Sequence, residues 1–147
     1  MSTASRLQSH GRVLVYRSRR DPTFPRRVLD AYQHRCAVCE ASPRIGNDGF
    51  GLEAAHIRWI QADGPNDVHN GLCLCRMHHV ALDRGALTLT DDLRIRVSPL
   101  VDRSPQSDRL FWQFDAECLR MPRRPEHTPN AEHCAWHRGE VFRAGAP

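Results

Sequence analysis

Two short pairs of metal-type ligands, "CAVC" at 36–39 and "CRMH" at 75–78, stand 35 residues apart in a chain of 147. Each pair has the two-residue spacing of a zinc knuckle. Together they supply three thiols and one imidazole, the number and type of ligand that a tetrahedral structural zinc takes. An ion held by Cys36, Cys39, Cys75 and His78 would staple two distant stretches of chain, so the intervening segment has to fold as an excursion that returns. A lone CxxC also serves redox chemistry where a helix end lowers a thiol pKa, and free thiols are the competing reading. The length supports one domain, and a mean hydropathy of -0.57 with ten prolines leaves that domain a small core. Metal binding couples to folding free energy and offsets such a shortfall.

The other cysteines read differently. In an extended segment Cys73 shares a side with Cys75 and competes for the fourth ligand position, but between Leu72 and Leu74 it is expected as a small buried apolar residue. "CAWH" at 134–137 repeats the knuckle spacing and could pair with Cys118 or His133; a core cysteine on a closing helix is the more economical reading. No stretch has the apolar run of a signal peptide or a membrane span, so the expectation is a cytoplasmic protein without a membrane partner. Cysteines in that compartment point to metal before disulfides.

The formal charge is +4, and all 21 basic residues are arginine. Arginine codon preference in a GC-rich genome accounts for much of the missing lysine, while the guanidinium fork remains well suited to phosphate. Position is more informative than the total: eight arginines between Arg6 and Arg35, Arg19 and Arg20 among them, face only Asp21 and Asp30. This is a basic arm.

Periodicity orders the remainder. "RVLVYRS" suits a short strand or a wrapped arm, and "DPTFPRRVLDAYQHRCAVC" a helix striped by Phe24, Val28, Leu29 and Tyr32 that leads straight into Cys36. "ASPRIGNDGF" is turn material, "GLEAAHIRWI" a strand of about eight residues, and "QADGPNDVHN" a loop closed by Asn70. "GLCLCRMHHVALDRG" is expected to start extended and turn helical near Cys75, with Met77, Val80 and Ala81 on its apolar face and Gly85 as cap. "ALTLTDDLRIRVSP" predicts a hairpin turning at Asp91 and Asp92. From Asp102 to Asn130 the chain is polar and proline-spaced, with "MPRRPEHTPN" as an irregular wrapping segment, and "AEHCAWHRGEVFR" predicts a closing helix with Trp136 inward.

A second cluster emerges once His78 is assigned to zinc. His79 lies roughly 100° further round the helix, and Asp83, four residues on, shares its face. Two such ligands grip a divalent cation while leaving positions open for water and phosphate. His56 ends the preceding strand, where an imidazole suits a general base. Asn70 could hold a loop carbonyl or orient His56. Each has an ordinary alternative: a core histidine, a turn former before Gly71, a helix-end aspartate, a surface histidine.

These motifs, "AYQHRCAVC", "LEAAHI", "NGLCLC" and "HHVALDRG" in order from about Pro25 to Gly85, resemble the HNH endonucleases, and in particular the nuclease end of bacterial restriction enzymes that cut modified DNA, whose tails "WHRGEVFR" also resembles. The resemblance implies an α+β protein built on a ββα-metal core with a structural zinc, elaborated by an N-terminal arm and helix and a C-terminal hairpin and wrapping tail. It implies His56 as general base, Asn70 as the family asparagine, His79 as a catalytic metal ligand, and Cys36, Cys39, Cys75 and His78 as zinc ligands. Many relatives carry a metal-binding residue immediately before the base, where this chain has Ala55; Asp83 is the first candidate for that ligand and Glu53 the second.

The expected organisation is a basic arm over 1–24, a nuclease core over 25–100 and an extension over 101–147. The expected function is metal-dependent cleavage of double-stranded DNA with Mg²⁺, Mn²⁺ or a similar ion, related to restriction or defence. Arg58, Arg76, Arg84, Arg19 and Arg20 are the expected phosphate contacts. A homodimer would suit palindromic DNA; since 35 residues before the first knuckle are too few for a modification-reading domain, specificity is expected to be low, borrowed from a partner subunit, or achieved through the arm and the region from Asp102 onward. The rival readings are a zinc-stabilised DNA-binding module without catalysis, favoured by Ala55, and a nuclease directed at RNA.

Overall fold

The computed structural model describes residues 21–146. The strand-or-arm expectation for "RVLVYRS" and the basic residues Arg19 and Arg20 lie outside them. Helix α1 spans Phe24–Ala31, with a proline in its first turn and Phe24, Val28 and Ala31 buried. It is shorter than expected. Gln33 and His34 adopt left-handed backbone (φ 55° and 54°), turning the chain so that Cys36 N donates to Ala41 O and Glu40 N to Cys36 O. A helix continued through Cys36 would exclude that knuckle turn.

The expected turn "ASPRIGNDGF" contains a minimal hairpin, β1 (Arg44–Ile45) with β2 (Asp48–Gly49). The central pair is β3 (Leu52–His56) and β4 (Gly71–Cys75), antiparallel, with His56 opposite Gly71 and Leu52 opposite Cys75. β3 is five residues where about eight were expected. Ile57 N still donates to Asn70 O, but beyond it the Asn70 side chain takes over Arg58, and the chain enters a 3₁₀ turn at Ile60–Ala62. Helix α2 (Arg76–Asp83) follows β4 without a gap, as expected.

The buried face of α2 is His78, Ala81 and Leu82; Met77 and Val80 are about half exposed, which corrects the expected apolar face. His78 has to face the cysteine sulfurs, and that rotates the helix away from its apolar stripe. Gly85, with φ +77°, ends the turn and lets the tail approach closely: a Cβ there would stand 2.2 Å from Val141 O.

The expected hairpin forms as β5 (Leu87–Leu89) and β6 (Ile95–Val97). The polar stretch after Asp102 holds a helix that hydropathy did not reveal, α3 (Pro105–Leu110), capped by the Ser104 side chain accepting from Ser107 N. Helix α4 (Ala131–Glu140) is capped by the Asn130 side chain. It buries His133, Cys134 and His137, while Trp136 is only half-buried against Trp59, so the inward residue was misassigned. His137 ties α4 to the hairpin: its Nε2 donates to Leu82 O and its Nδ1 accepts from the Thr88 hydroxyl. No helix among the described residues is long and apolar enough to cross a membrane.

Gly71 is where α1 presses on the central pair. A Cβ there would meet Val28 Cγ2 at 2.6 Å and Phe24 Cζ at 3.0 Å. The backbone at Gly71 (φ -124°, ψ 149°) is ordinary extended chain, so only steric overlap opposes a side chain. Gly71→Ala is expected to lower unfolding free energy by about 1–3 kcal/mol through overpacking, read as a reduced urea midpoint.

Candidate functional site

Cys36, Cys39, Cys75 and His78 bring one ligand atom each to a group within 4.8 Å of one another. Cys75 Sγ lies 3.2 Å from His78 Nδ1, Cys36 Sγ 3.7 Å from the same nitrogen, and Cys39 Sγ 4.0 Å from Cys75 Sγ. A Cys₃His set this tight is consistent with structural zinc. The imidazole is prepared for it: His78 Nε2 lies 2.6 Å from the Leu110 carbonyl, which only accepts, so Nε2 carries the proton and Nδ1 presents its lone pair to the cluster. Contacts from Cys39 and Cys75 hold the Cys36 thiol well below its ordinary pKa, and contacts with Cys36 and Cys75, with burial, push Cys39 up. The ligand form, the thiolate, is thus favoured at Cys36.

Cys73 is fully buried in the core, as its apolar neighbours suggested. Cys134 is likewise a core cysteine and Cys118 is exposed; among the described residues "CAWH" takes part in no second cluster.

On the other side of α2 an open cleft of about 420 Å³ is lined by Ala54, His56, Trp59, Gln61, His79 and Asp83. The fold thus gathers His56, His79 and Asp83 from a strand end and a helix face. His56 Nε2 lies 2.9 Å from Asn66 Oδ1, and its ring stacks on Phe24 at 4.1 Å between centroids. An amide oxygen only accepts, so Nε2 carries the proton and Nδ1 the lone pair. Burial pulls the His56 pKa down, against the hydrogen bond it donates to Asn66 and the charge of Asp83.

His79 sits between two carboxylates. Nδ1 is 2.7 Å from Glu53 Oε1 and Nε2 is 3.3 Å from Asp83 Oδ2; Arg76 pairs with the other Glu53 oxygen at 2.7 Å. The hydrogen bond to Asp83 raises the His79 pKa most, with Glu53 adding to it against burial. Glu53 is held below its ordinary value, chiefly by His79.

Asn70 is fully buried and its amide is committed to the loop: Oδ1 accepts from Arg58 N, and Nδ2 donates to Arg58 O and Pro65 O. The residue on His56 is Asn66, which sequence reading passed over because a contact across a ten-residue loop leaves no local signal. Phe24 was legible only as core. Ala55 is fully buried in the core and offers nothing to the cleft. Of the expected phosphate contacts, Arg58 Nε donates to Ala62 O within the loop, Arg76 is engaged by Glu53, and Arg84 is exposed with no ion pair among the described residues.

Comparison with known proteins agrees with this geometry. The family model described as HNH endonuclease matches residues 36–90. A solved structure titled "Modification dependent TagI restriction endonuclease" superposes with a TM-score of 0.65 at 29% identity, over 83% of this chain and 38% of that one. The chain thus spans well under half the length of that relative. None of the curated proteins searched matches it.

The ligand set predicts that the purified chain holds one zinc, measured by mass spectrometry. Cys36→Ala is expected to lose the ion and most cooperative unfolding. Chelator-unfolded protein should recover its near-UV spectrum with Zn²⁺ and not with Mg²⁺.

Proposed function

We propose that this chain, whose HNH-endonuclease-like fold is related to modification-dependent restriction endonucleases, hydrolyses phosphodiester bonds of double-stranded DNA with His56 as general base. The observation that carries the reading is the cleft that joins His56, its proton fixed on Nε2, to the His79–Asp83 pair.

The division of labour follows from the chemistry. A water beside Nδ1 of His56 can surrender its proton as it attacks phosphorus. Asn66 and Phe24 keep the ring turned so that this nitrogen faces outward, and Asn70 holds the loop that carries Asn66. His79 Nε2 and Asp83 are the proposed ligands of a catalytic cation such as Mg²⁺ or Mn²⁺; their 3.3 Å separation suits adjacent ligands on an ion with bonds of about 2.1 Å. Such an ion would supply charge stabilisation at the scissile phosphate and the leaving oxygen. Glu53, on the opposite nitrogen, is better placed to orient the His79 ring than to share its ion. Arg84 is the proposed phosphate contact on the helix face, with Arg19, Arg20, Arg58 and Arg76 proposed beside it.

The proposed core runs over 25–100 and the extension over 101–147. Since the chain covers 38% of the TagI chain, recognition of a modified base is proposed to reside elsewhere, on further sequence or a partner subunit. The second reading, a DNA-binding module without catalysis, draws on one observation: both nitrogens of His79 are satisfied by carboxylates, an arrangement that also stands as a plain ion-pair network.

Supercoiled plasmid incubated with zinc-loaded protein and Mg²⁺ or Mn²⁺ should be nicked or linearised, and a folded His56→Ala should be inactive. Intact plasmid bound by folded protein under every metal would favour the second reading. Because burial lowers the His56 pKa, its neutral form persists into mild acid. At saturating metal the rate should be flat at neutral pH and fall only below about pH 6.5. Asn66→Ala is expected to cost about 10–100-fold in rate, a scale typical of groups that orient a functional histidine, with little change in DNA affinity; an equal loss of binding would argue against a positioning role.

A further inference from the structure

A second cleft, of about 520 Å³, lies between α1 and the wrapping segment after Arg120. Ala31 and Val68 supply apolar lining, Arg27, Arg123 and Arg124 carry its positive charge beside His127, and Asp30 is the one acid in its lining. Asp30 is engaged by His34 at 2.9 Å, while two of the cleft's own arginines already have acidic partners, Arg27 with Asp21 at 2.8 Å and Arg124 loosely with Glu126 at 3.7 Å. No carboxylate among the described residues pairs with Arg123.

The arginines stand on a pinned backbone. Arg120 N donates to Ala37 O and Arg123 N to Ala31 O, while the Arg120 guanidinium grips Tyr32 O at 2.7 Å. Pro122 is buried, and Pro125 restricts the chain on the far side. Little ordering entropy remains to be lost when a ligand arrives. Guanidinium groups over an apolar wall focus positive potential and match the oxygens of a phosphate.

Arg27 links this cleft to the catalytic one. Its guanidinium donates to the Asn66 carbonyl at 3.0 Å, and the Asn66 side chain holds His56. One asparagine separates the two clefts. We propose that the Arg27–Arg123–Arg124 cleft is a phosphate-binding site that holds the backbone of duplex DNA beside the scissile position. The partner's identity rests on the nuclease reading; the site itself rests on the cleft.

The test is fluorescence anisotropy of a labelled duplex without added divalent ion, across a salt series, for wild type, Arg123→Ala/Arg124→Ala and the control Arg103→Ala/Arg109→Ala. Each lost phosphate contact removes about 0.9 from the slope of log affinity against log salt. The cleft variant should therefore bind more weakly with a slope shallower by about 2, at unchanged zinc content, and the control should keep the wild-type slope. Wild-type slope in the cleft variant, or equal loss in the control, would overturn the site while leaving the nuclease reading intact. Failure of the wild type to bind duplex at all would overturn both.

Discussion

The convergence of His78 on the sulfurs of Cys36 and Cys75 sets the register on which the rest of the structure depends. Consecutive residues on a helix project about 100° apart, so committing His78 inward to Cys36 and Cys75 fixes His79 toward Glu53 and Asp83. The same commitment exposes Met77 and Val80 against the preference of their side chains. Metal coordination in a small domain supplies free energy of order 10 kcal/mol, whereas exposing two half-covered apolar residues costs about 1.5–3 kcal/mol each at most. A zinc held by these four residues would therefore decide which way α2 faces, and the cleft of His56, His79 and Asp83 would inherit the result. Leu110 extends the dependence: by holding the far nitrogen of His78, the extension completes a cluster whose ligands all lie before it.

Two asparagines divide the work that the sequence seemed to give to one. Burying an amide costs free energy unless its donors and acceptor are met. Asn70 meets that condition with three bonds to Arg58 and Pro65, replacing the ladder where β3 leaves its partner. It is consequently spoken for, and His56 is met by Asn66 from the loop that Asn70 closes. A change at Asn70 would reach His56 through the loop; a change at Asn66 would reach it directly.

What could be read from the sequence was whatever local spacing determines. The knuckles, the β4-to-α2 switch at Cys75, the Asp91–Asp92 hairpin, the cap at Gly85 and the closing helix all follow from residues a few positions apart. The end of α1 at Ala31 was missed because Gln33 and His34 take up left-handed backbone ahead of the knuckle turn at Cys36, which their side chains do not announce. α3 was missed because its signal, Ser104 followed by Pro105, is a cap without an apolar stripe. Nor could spacing reveal the Asn66–His56 bond, the Phe24 stack or the arginine cleft, since each joins segments whose meeting depends on tertiary packing.

The Glu53–His79–Asp83 arrangement is the point at which stability and chemistry pull apart. A partly exposed ion pair contributes about 0–1 kcal/mol, and half-burying an imidazole between two carboxylates spends much of that on desolvation. Stability alone is thus a weak reason for three ionisable groups and Arg76 to converge beside a cleft. The proposed cation site would make better use of them: His79 and Asp83 line the cleft, while Glu53, itself paired with Arg76, holds the other nitrogen of the ring. On that reading the missing ligand at Ala55 would reflect geometry, because Ala55 is buried in the core, and the helix, four residues beyond His79, is where a second donor could stand.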